Sequence, residues 1–238
     1  MKATVTLSAN AGVMLEYSGF KLLVDVLHHF DVPTFSKVPY EICESIVSGG
    51  AFSDADAMFV SHEHPDHYSK QWVSKYLKNN RRTYFAAPFK LAERQFVFNG
   101  AGGKFKSGDL CVEFLRTPHE KQNVYSDVKH YSFAVDFSGA RFVFMNDAEI
   151  NEEHLEQMFE KPADIAFLNF PWITLRHARG LVNEYVSSKN ILVYHLPIPE
   201  EDSFGFGAAE KKSEQYITLP GADIRVLSVP LSKTEFEI

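Results

Sequence analysis

Cysteine is scarce in this chain. Cys43 and Cys111 are its two thiols in 238 residues, with no Cys-x-x-Cys spacing. This argues against both a disulfide framework and a thiolate metal site, and both are expected as core or near-core thiols. Long hydrophobic runs are missing too. No stretch approaches the roughly 18 apolar residues that a membrane span needs, and residues 1–8 lack the apolar core of a signal peptide. The expected compartment is the cytoplasm, with no membrane partner. Positive charge is the third shortage. With 24 Lys and Arg against 31 Asp and Glu, the net charge is −7, which argues against broad nucleic-acid affinity. Arg81 and Arg82 are only a pair, read as a solvated helix end beside Lys78. No linker, repeat or low-complexity segment interrupts the chain. A hydrophobic content of 45% is enough for one large core, so residues 1–238 are expected to form a single domain.

What the chain does have is local histidine. Ser61-His62-Glu63-His64-Pro65-Asp66-His67 sets three imidazoles and an Asp carboxylate within six residues. Imidazole is the commonest metal ligand near neutral pH, and a carboxylate oxygen completes sites for zinc, iron or manganese. Upstream, residues 57–60 read as a short buried strand. Downstream, Ser69 is a natural N-cap for a helix over 70–77, so the histidines fall on a strand-to-helix loop. Such loops are where a rigid scaffold presents ligands.

His-x-His-x-Asp-His on such a loop resembles the signature of the metallo-β-lactamase fold superfamily. The resemblance implies further ligands at later strand ends, and it extends over nearly the whole chain. His119 follows the strand-like residues 110–116, Asp147 follows 141–145, and His195 follows 191–194. Carried across position by position, the pattern gives His62, His64 and His119 for one metal and Asp66, His67 and His195 for the other. Asp147 lies between them. The cofactors implied are two divalent ions, zinc first, with Mn2+ or Fe2+ as alternatives. The same resemblance makes Asp25, at the end of strand-like residues 21–26, an orienting partner for a metal-bound histidine. In the family the bridging Asp commonly follows Gly; here it follows Asn146.

The activity implied is hydrolysis of an ester, lactone, thioester or phosphodiester-type bond by a hydroxide bridging the two metals, since metal binding lowers the pKa of water toward about 7. Asp66 and His195 are the residues placed closest to that chemistry. The chain looks most like small single-domain members such as ascorbate-phosphate lactonase-like proteins, and His67 separates it from classical lactamases with a Cys at the second site. A small molecule is the expected partner. Within residues 170–180, Arg176 and His177 are candidates to read an anionic group and Trp172 to supply an apolar wall. A packing loop explains that segment equally well, and the pocket role of residues 199–207 stays open. Two other classes compete. One is an iron-dependent oxidoreductase on the same ligands, in a chain with no flavin domain. The other is a nucleic-acid processing nuclease, which would want a basic arm this chain lacks.

The order of elements agrees with an α/β chain. A strand over 4–7 is followed by a hairpin, 13–17 with 21–26, turning at Ser18-Gly19. Residues 38–47 read as a helix stopped by Gly49-Gly50, and Asn151 caps a helix over 151–159. A second hairpin, 131–137 with 141–145, turns at Ser138-Gly139, and residues 164–168 read as a strand. Strands and helices repeated twice imply an αββα four-layer sandwich of the metallo-β-lactamase type. His28, His29 and His154 are expected to be solvated, with His28 and His29 as possible pocket lining.

Overall fold

The computed structural model describes residues 1–238, Gln122 by its backbone alone. Fourteen strands alternate with seven α-helices. In chain order the first strands are β1 (Lys2–Ala9), β2 (Gly12–Tyr17), β3 (Phe20–Val24), β4 (Ala57–Phe59), β5 (Tyr84–Ala87) and β6 (Gln95–Val97). Then follow β7 (Gly102–Ser107), β8 (Leu110–Arg116), β9 (Tyr131–Phe137), β10 (Ala140–Asn146), β11 (Ala163–Asn169), β12 (Ser188–Tyr194), β13 (Asp223–Val226) and β14 (Lys233–Glu237). They form two seven-stranded mixed sheets, ordered β14-β1-β2-β3-β4-β5-β6 and β13-β12-β11-β10-β9-β8-β7. The fold is mixed α/β, as the sequence pattern implies. Two compact units divide the chain, each holding one sheet: Met1–Phe98 with His195–Phe204 and Leu227–Ile238, and Asn99–Tyr194 with Gly205–Val226.

In the first unit, β1, β2, β3 and β14 pair antiparallel, while β3, β4, β5 and β6 run parallel. Parallel neighbours need crossovers. Two of these contain helices, α1 (Tyr40–Ser48) between β3 and β4 and α2 (Lys70–Asn79) between β4 and β5. The expected helix over 38–47 starts two residues late because Pro39 occupies its N-cap position and has no N–H to extend the hydrogen-bond ladder upstream. Gly49 ends it at φ 122°, a conformation that L side chains resist. Ser69 does stand at the N-cap of α2, but its side chain makes no capping bond. Its backbone N–H donates instead to the Leu27 carbonyl at 2.8 Å, tying the histidine loop back to the end of β3. The buried face of α2 is Trp72, Val73 and Tyr76, the i, i+1, i+4 stripe of a helix lying on a core.

The second unit mirrors this plan, with antiparallel β7, β8, β9 and β10 and parallel β10, β11, β12 and β13. Ser138 and Gly139 turn the β9–β10 hairpin with φ 48° and 81°, positive values at both central residues that match the right-handed twist of paired strands. Its helices are α3 (Gln122–Tyr125), α4 (Glu152–Met158), α5 (Pro171–Thr174), α6 (Arg176–Tyr185) and α7 (Phe206–Ser213). Asn151 caps α4, its side chain accepting from the His154 N–H at 3.3 Å. The sequence gives residues 170–177 as a connecting loop; the structure makes them α5 and the start of α6. Pro171 opens a helix here rather than ending one, in the first-turn position that its fixed φ favours. Ala178 and Val182 are the buried pair of α6, four residues apart on one face. Among the described residues, no helix is long and apolar enough to cross a membrane.

Both sheets carry their candidate ligands on residues that follow strand carboxyl ends. Asp25 follows β3, the histidine loop follows β4, His119 follows β8, Asp147 follows β10 and His195 follows β12. Ligands in α/β sheets gather at that end of the strands.

Candidate metal centre

In the first unit the histidine loop folds back on itself within one turn, the N–H groups of His67 and Tyr68 both donating to the His64 carbonyl at 3.0 and 2.9 Å. Asp66 and His67 thereby reach His195, and the ligand atoms of these three buried residues lie within 4.8 Å of one another. His67 Nε2 and His195 Nε2 are 2.9 Å apart, and His195 Nε2 is 3.7 Å from Asp66 Oδ2.

Asp25 sets the proton positions behind these ligands. Its carboxylate accepts from the Ser61 backbone N–H at 2.9 Å, from the Ser61 hydroxyl at 2.6 Å, and lies 2.9 Å from His67 Nδ1. A carboxylate only accepts, so His67 carries its proton on Nδ1 and presents a lone pair at Nε2. The Ser61 proton is likewise committed to Asp25. Its oxygen must then accept from His62 Nδ1 at 2.9 Å, which leaves the His62 lone pair on Nε2 as well. One buried acid fixes two imidazole tautomers. The exact fit depends on Gly12, where an added Cβ would stand 2.7 Å from the Val26 Cα and 2.8 Å from the Asp25 carbonyl oxygen. His64 is half-buried with its ring against His62, centroids 4.7 Å apart.

In the second unit His119 and Asp147 come together. His119 Nδ1 donates to the Glu120 carbonyl at 2.6 Å, so its Nε2 lone pair faces Asp147 Oδ2 at 3.4 Å. Asn169, at the end of β11, donates to Asp147 Oδ1 at 2.9 Å and so holds the carboxylate's orientation. Two electron-pair donors turned toward one point call for a proton or a cation between them, and the same holds for His67 with His195. This donor set of neutral imidazoles and carboxylates fits a borderline divalent metal.

Three of the strand-end residues adopt left-handed backbone: Asp25 at φ 53°, Asn146 at 51° and His195 at 62°. Such conformations cost on the order of 1 kcal/mol or more and concentrate at functional sites. They also explain Asn146. Before Asp147, where the sequence resemblance leads one to expect Gly, this chain uses Asn, the type of side chain that tolerates φ > 0 best. Its amide repays the strain by donating to the Tyr131 carbonyl at 3.0 Å and accepting from the Tyr194 hydroxyl at 3.2 Å. His195 is held by its N–H on the Asn10 carbonyl at 3.0 Å and by the Phe35 ring, edge-on at 4.4 Å. Ser61, Asn10, Phe35 and Asn169 are positioning residues that sequence reasoning missed. Only Ser61, adjacent to the motif, carried a local signal.

Three candidates for substrate contact separate. Trp172 is wholly enclosed, whereas Arg176 and His177 are exposed on the first turn of α6. The roomier hollow of the second unit, about 550 Å3 between β7, β8 and α4, is lined by none of the candidate ligands. Two histidines read as solvated are not. His154 is half-buried, and burial lowers its pKa.

His28 is fully buried, its Nε2 donating to the Ala9 carbonyl at 3.2 Å. Burial first, and the neighbouring imidazole of His67 second, push its pKa down to about 3. It is therefore neutral in the folded chain but takes up a proton near pH 6.5 once unfolded. Stability is fully present above pH 6.5 and falls toward pH 3, by up to ~1.4 kcal/mol per pH unit for this one group. Chemical denaturation of chelator-treated protein between pH 7 and 4 is expected to show a shallower decline in His28→Gln than in the wild type. Equal slopes would remove His28 from the acid response.

A family profile described as a beta-lactamase superfamily domain matches residues 4–170, a span that contains every candidate ligand except His195. Comparison with curated proteins returns no match. In fold, the chain is similar to a protein from Parabacteroides distasonis described as a metal-dependent hydrolase, with 18% identity over 95% of this chain and 93% of that one and a TM-score of 0.67. The metallo-β-lactamase fold protein YhfI from Bacillus subtilis has 13% identity over 98% and 99%, with a TM-score of 0.65. CmlA, a diiron β-hydroxylase from Streptomyces venezuelae, has 14% identity and a TM-score of 0.66, and this chain covers 54% of its length. At such identities the likeness to these structures is one of fold. The profile match across most of the chain goes further: the protein belongs to the beta-lactamase superfamily and has the metallo-β-lactamase fold.

Proposed function

We propose that this protein is a metal-dependent hydrolase. Asp66, His67 and His195 hold one divalent ion; the family's pattern assigns His62, His64 and His119 to a second and shares Asp147 between the two. The observation that carries the reading is Asp25, whose single carboxylate accepts from His67 Nδ1 directly and, through the Ser61 hydroxyl, keeps the His62 proton on Nδ1, so that both Nε2 lone pairs point away from it. Two bound divalent ions, zinc or alternatively manganese or iron, supply a Lewis acid for the substrate oxygen and a water acidic enough to attack near neutral pH.

The chain's own groups do the remaining work. Asp25 and Ser61 keep His67 and His62 in the metal-binding tautomer, a role that outer partners of ligating histidines commonly play. Asn169 holds Asp147 at one oxygen and turns the other toward His119. No thiol is needed. Burial pushes the Cys43 pKa up to about 12, which makes it a poor nucleophile at neutral pH.

The test is a panel of ester, lactone, thioester and phosphodiester substrates offered to metal-replete protein. Turnover of at least one class is expected, abolished by chelation, restored by metal, and unaffected by alkylation of Cys43 and Cys111. Full metal with no cleavage anywhere in the panel, or loss of turnover on alkylation with metal retained, contradicts the reading. A second reading, an iron-dependent oxidoreductase, draws support from the fold shared with a diiron hydroxylase and from imidazole and carboxylate ligands that suit iron. Oxygen consumption without hydrolysis would favour it.

A further inference from the structure

We propose that Arg116, Tyr125 and Ser126 form a small-oxyanion pocket beside His119, so that the substrate carries a carboxylate or phosphate group. The substrate part of this inference rests on His119 serving the hydrolase proposed above; the anion pocket itself does not.

Arg116 is the last residue of β8, and Thr117-Pro118 carries the chain from it to His119. Arg116 and His119 line one hollow of about 180 Å3, together with Thr117, Pro118, Tyr125, Ser126 and Val128. That volume equals roughly six waters. It is below the range of about 300 Å3 and upward that encloses a whole small molecule, so it suits one functional group of a larger ligand. Its walls decide which group. The Tyr125 ring stands edge-on to His119, centroids 4.9 Å apart, and Ser126 adds a hydroxyl. Among the described residues that line the hollow there is no carboxylate, and Arg116 is the one formal charge.

The state of Arg116 separates it from the two other strand arginines of this unit, of which Arg225 on β13 is paired with Asp223 at 2.7 Å. Arg141 is locked between Asp136 at 2.8 Å and Glu113 at 3.0 Å. Arg116 is exposed, and among the described residues it makes no ion pair with an acid. A guanidinium offers paired donors matched to the two oxygens of a carboxylate or phosphate. In a chain of net charge −7, which repels anions as a whole, a local cation at this position selects for them. Thr117 does not take part, because its hydroxyl is engaged by His130 and Ser132 at 2.8 and 3.1 Å.

The first arm of the test uses metal-stripped protein, so that no bound metal can hold the anion. Inorganic phosphate and succinate are titrated separately by calorimetry, into wild type, Arg116→Gln and Arg116→Lys. Saturable binding of at least one anion is expected, weakened about tenfold or more by Arg116→Gln and partly kept by Arg116→Lys; the tighter anion names the group. Absent binding in the wild type, or equal binding in Arg116→Gln with an unchanged melting curve, overturns the proposal. The second arm uses metal-loaded protein and matched neutral and anionic esters. A rise in KM confined to the anionic ester in Arg116→Gln supports the substrate assignment, and an equal rise for both overturns it. Phosphate or succinate binding through Arg116 in a protein that hydrolyses nothing would uphold the pocket, overturn its substrate role, and overturn the hydrolase reading.

Discussion

Replacing Asp25 with Asn is expected to lower affinity for the divalent ion held by His67 by about 10- to 100-fold, the range seen when an outer partner of a ligating histidine is lost. The substitution is nearly isosteric, and Asn tolerates the left-handed φ of 53° at this position as well as Asp does. The backbone therefore has no reason to move. What changes is the proton bookkeeping: three donors, the Ser61 N–H, the Ser61 hydroxyl and His67 Nδ1, converge on two carboxylate oxygens. Asn offers one oxygen and one NH2 group, so a donor must face a donor or an imidazole must switch tautomer. A switched tautomer takes an Nε2 lone pair from the metal, and a donor facing a donor loosens the hold on the ring that carries it. Metal titration with a competing chelator, alongside a circular-dichroism melt to show the fold retained, reads the effect. Unchanged affinity would reduce Asp25 to a carboxylate that merely closes a strand.

A second large effect concerns occupancy. His195→Ala is expected to empty the position shared with Asp66 and His67 while sparing the other, and His119→Ala to do the reverse. Asp147→Ala is expected to weaken both, because the proposal gives it to both ions. Elemental analysis of the three purified variants separates these outcomes. Full occupancy in all three would contradict the assignment of ligands to positions.

Much of this molecule was legible in the sequence because its signals are local. The Ser18-Gly19 and Ser138-Gly139 turns, the Asn151 cap and the stretch of strand before each candidate ligand all appear where short-range patterns place them. Asp66 and His67 stand on the loop after β4 and His195 directly after β12, each marked by the strand-like run before it. What was hidden depends on distant parts of the chain. The edge strand β7, Gly-Gly-Lys-Phe-Lys-Ser, lacks an apolar alternation and is defined by its pairing with β8. β14 joins β1 from the other end of the chain, Lys2 opposite Glu237. The helix α5 is masked by Pro171, which reads equally as a stop and a start. His28 looked solvated because nothing in its neighbours announces that β1, ending at Ala9, will cover it. Asn10, Phe35 and Asn169 are recognisable as positioning residues only once the fold brings them to His195 and Asp147.

The most direct measurement is the metal content of protein expressed in metal-replete medium, read with its melting temperature before and after chelation. Metal that binds the folded chain and not the unfolded one stabilises it by mass action. Close to two equivalents of divalent metal per chain, with a melting temperature that falls on chelation and recovers when metal is returned, is the expected result. Traces of metal together with a melting curve that chelator leaves unmoved would contradict the central claim.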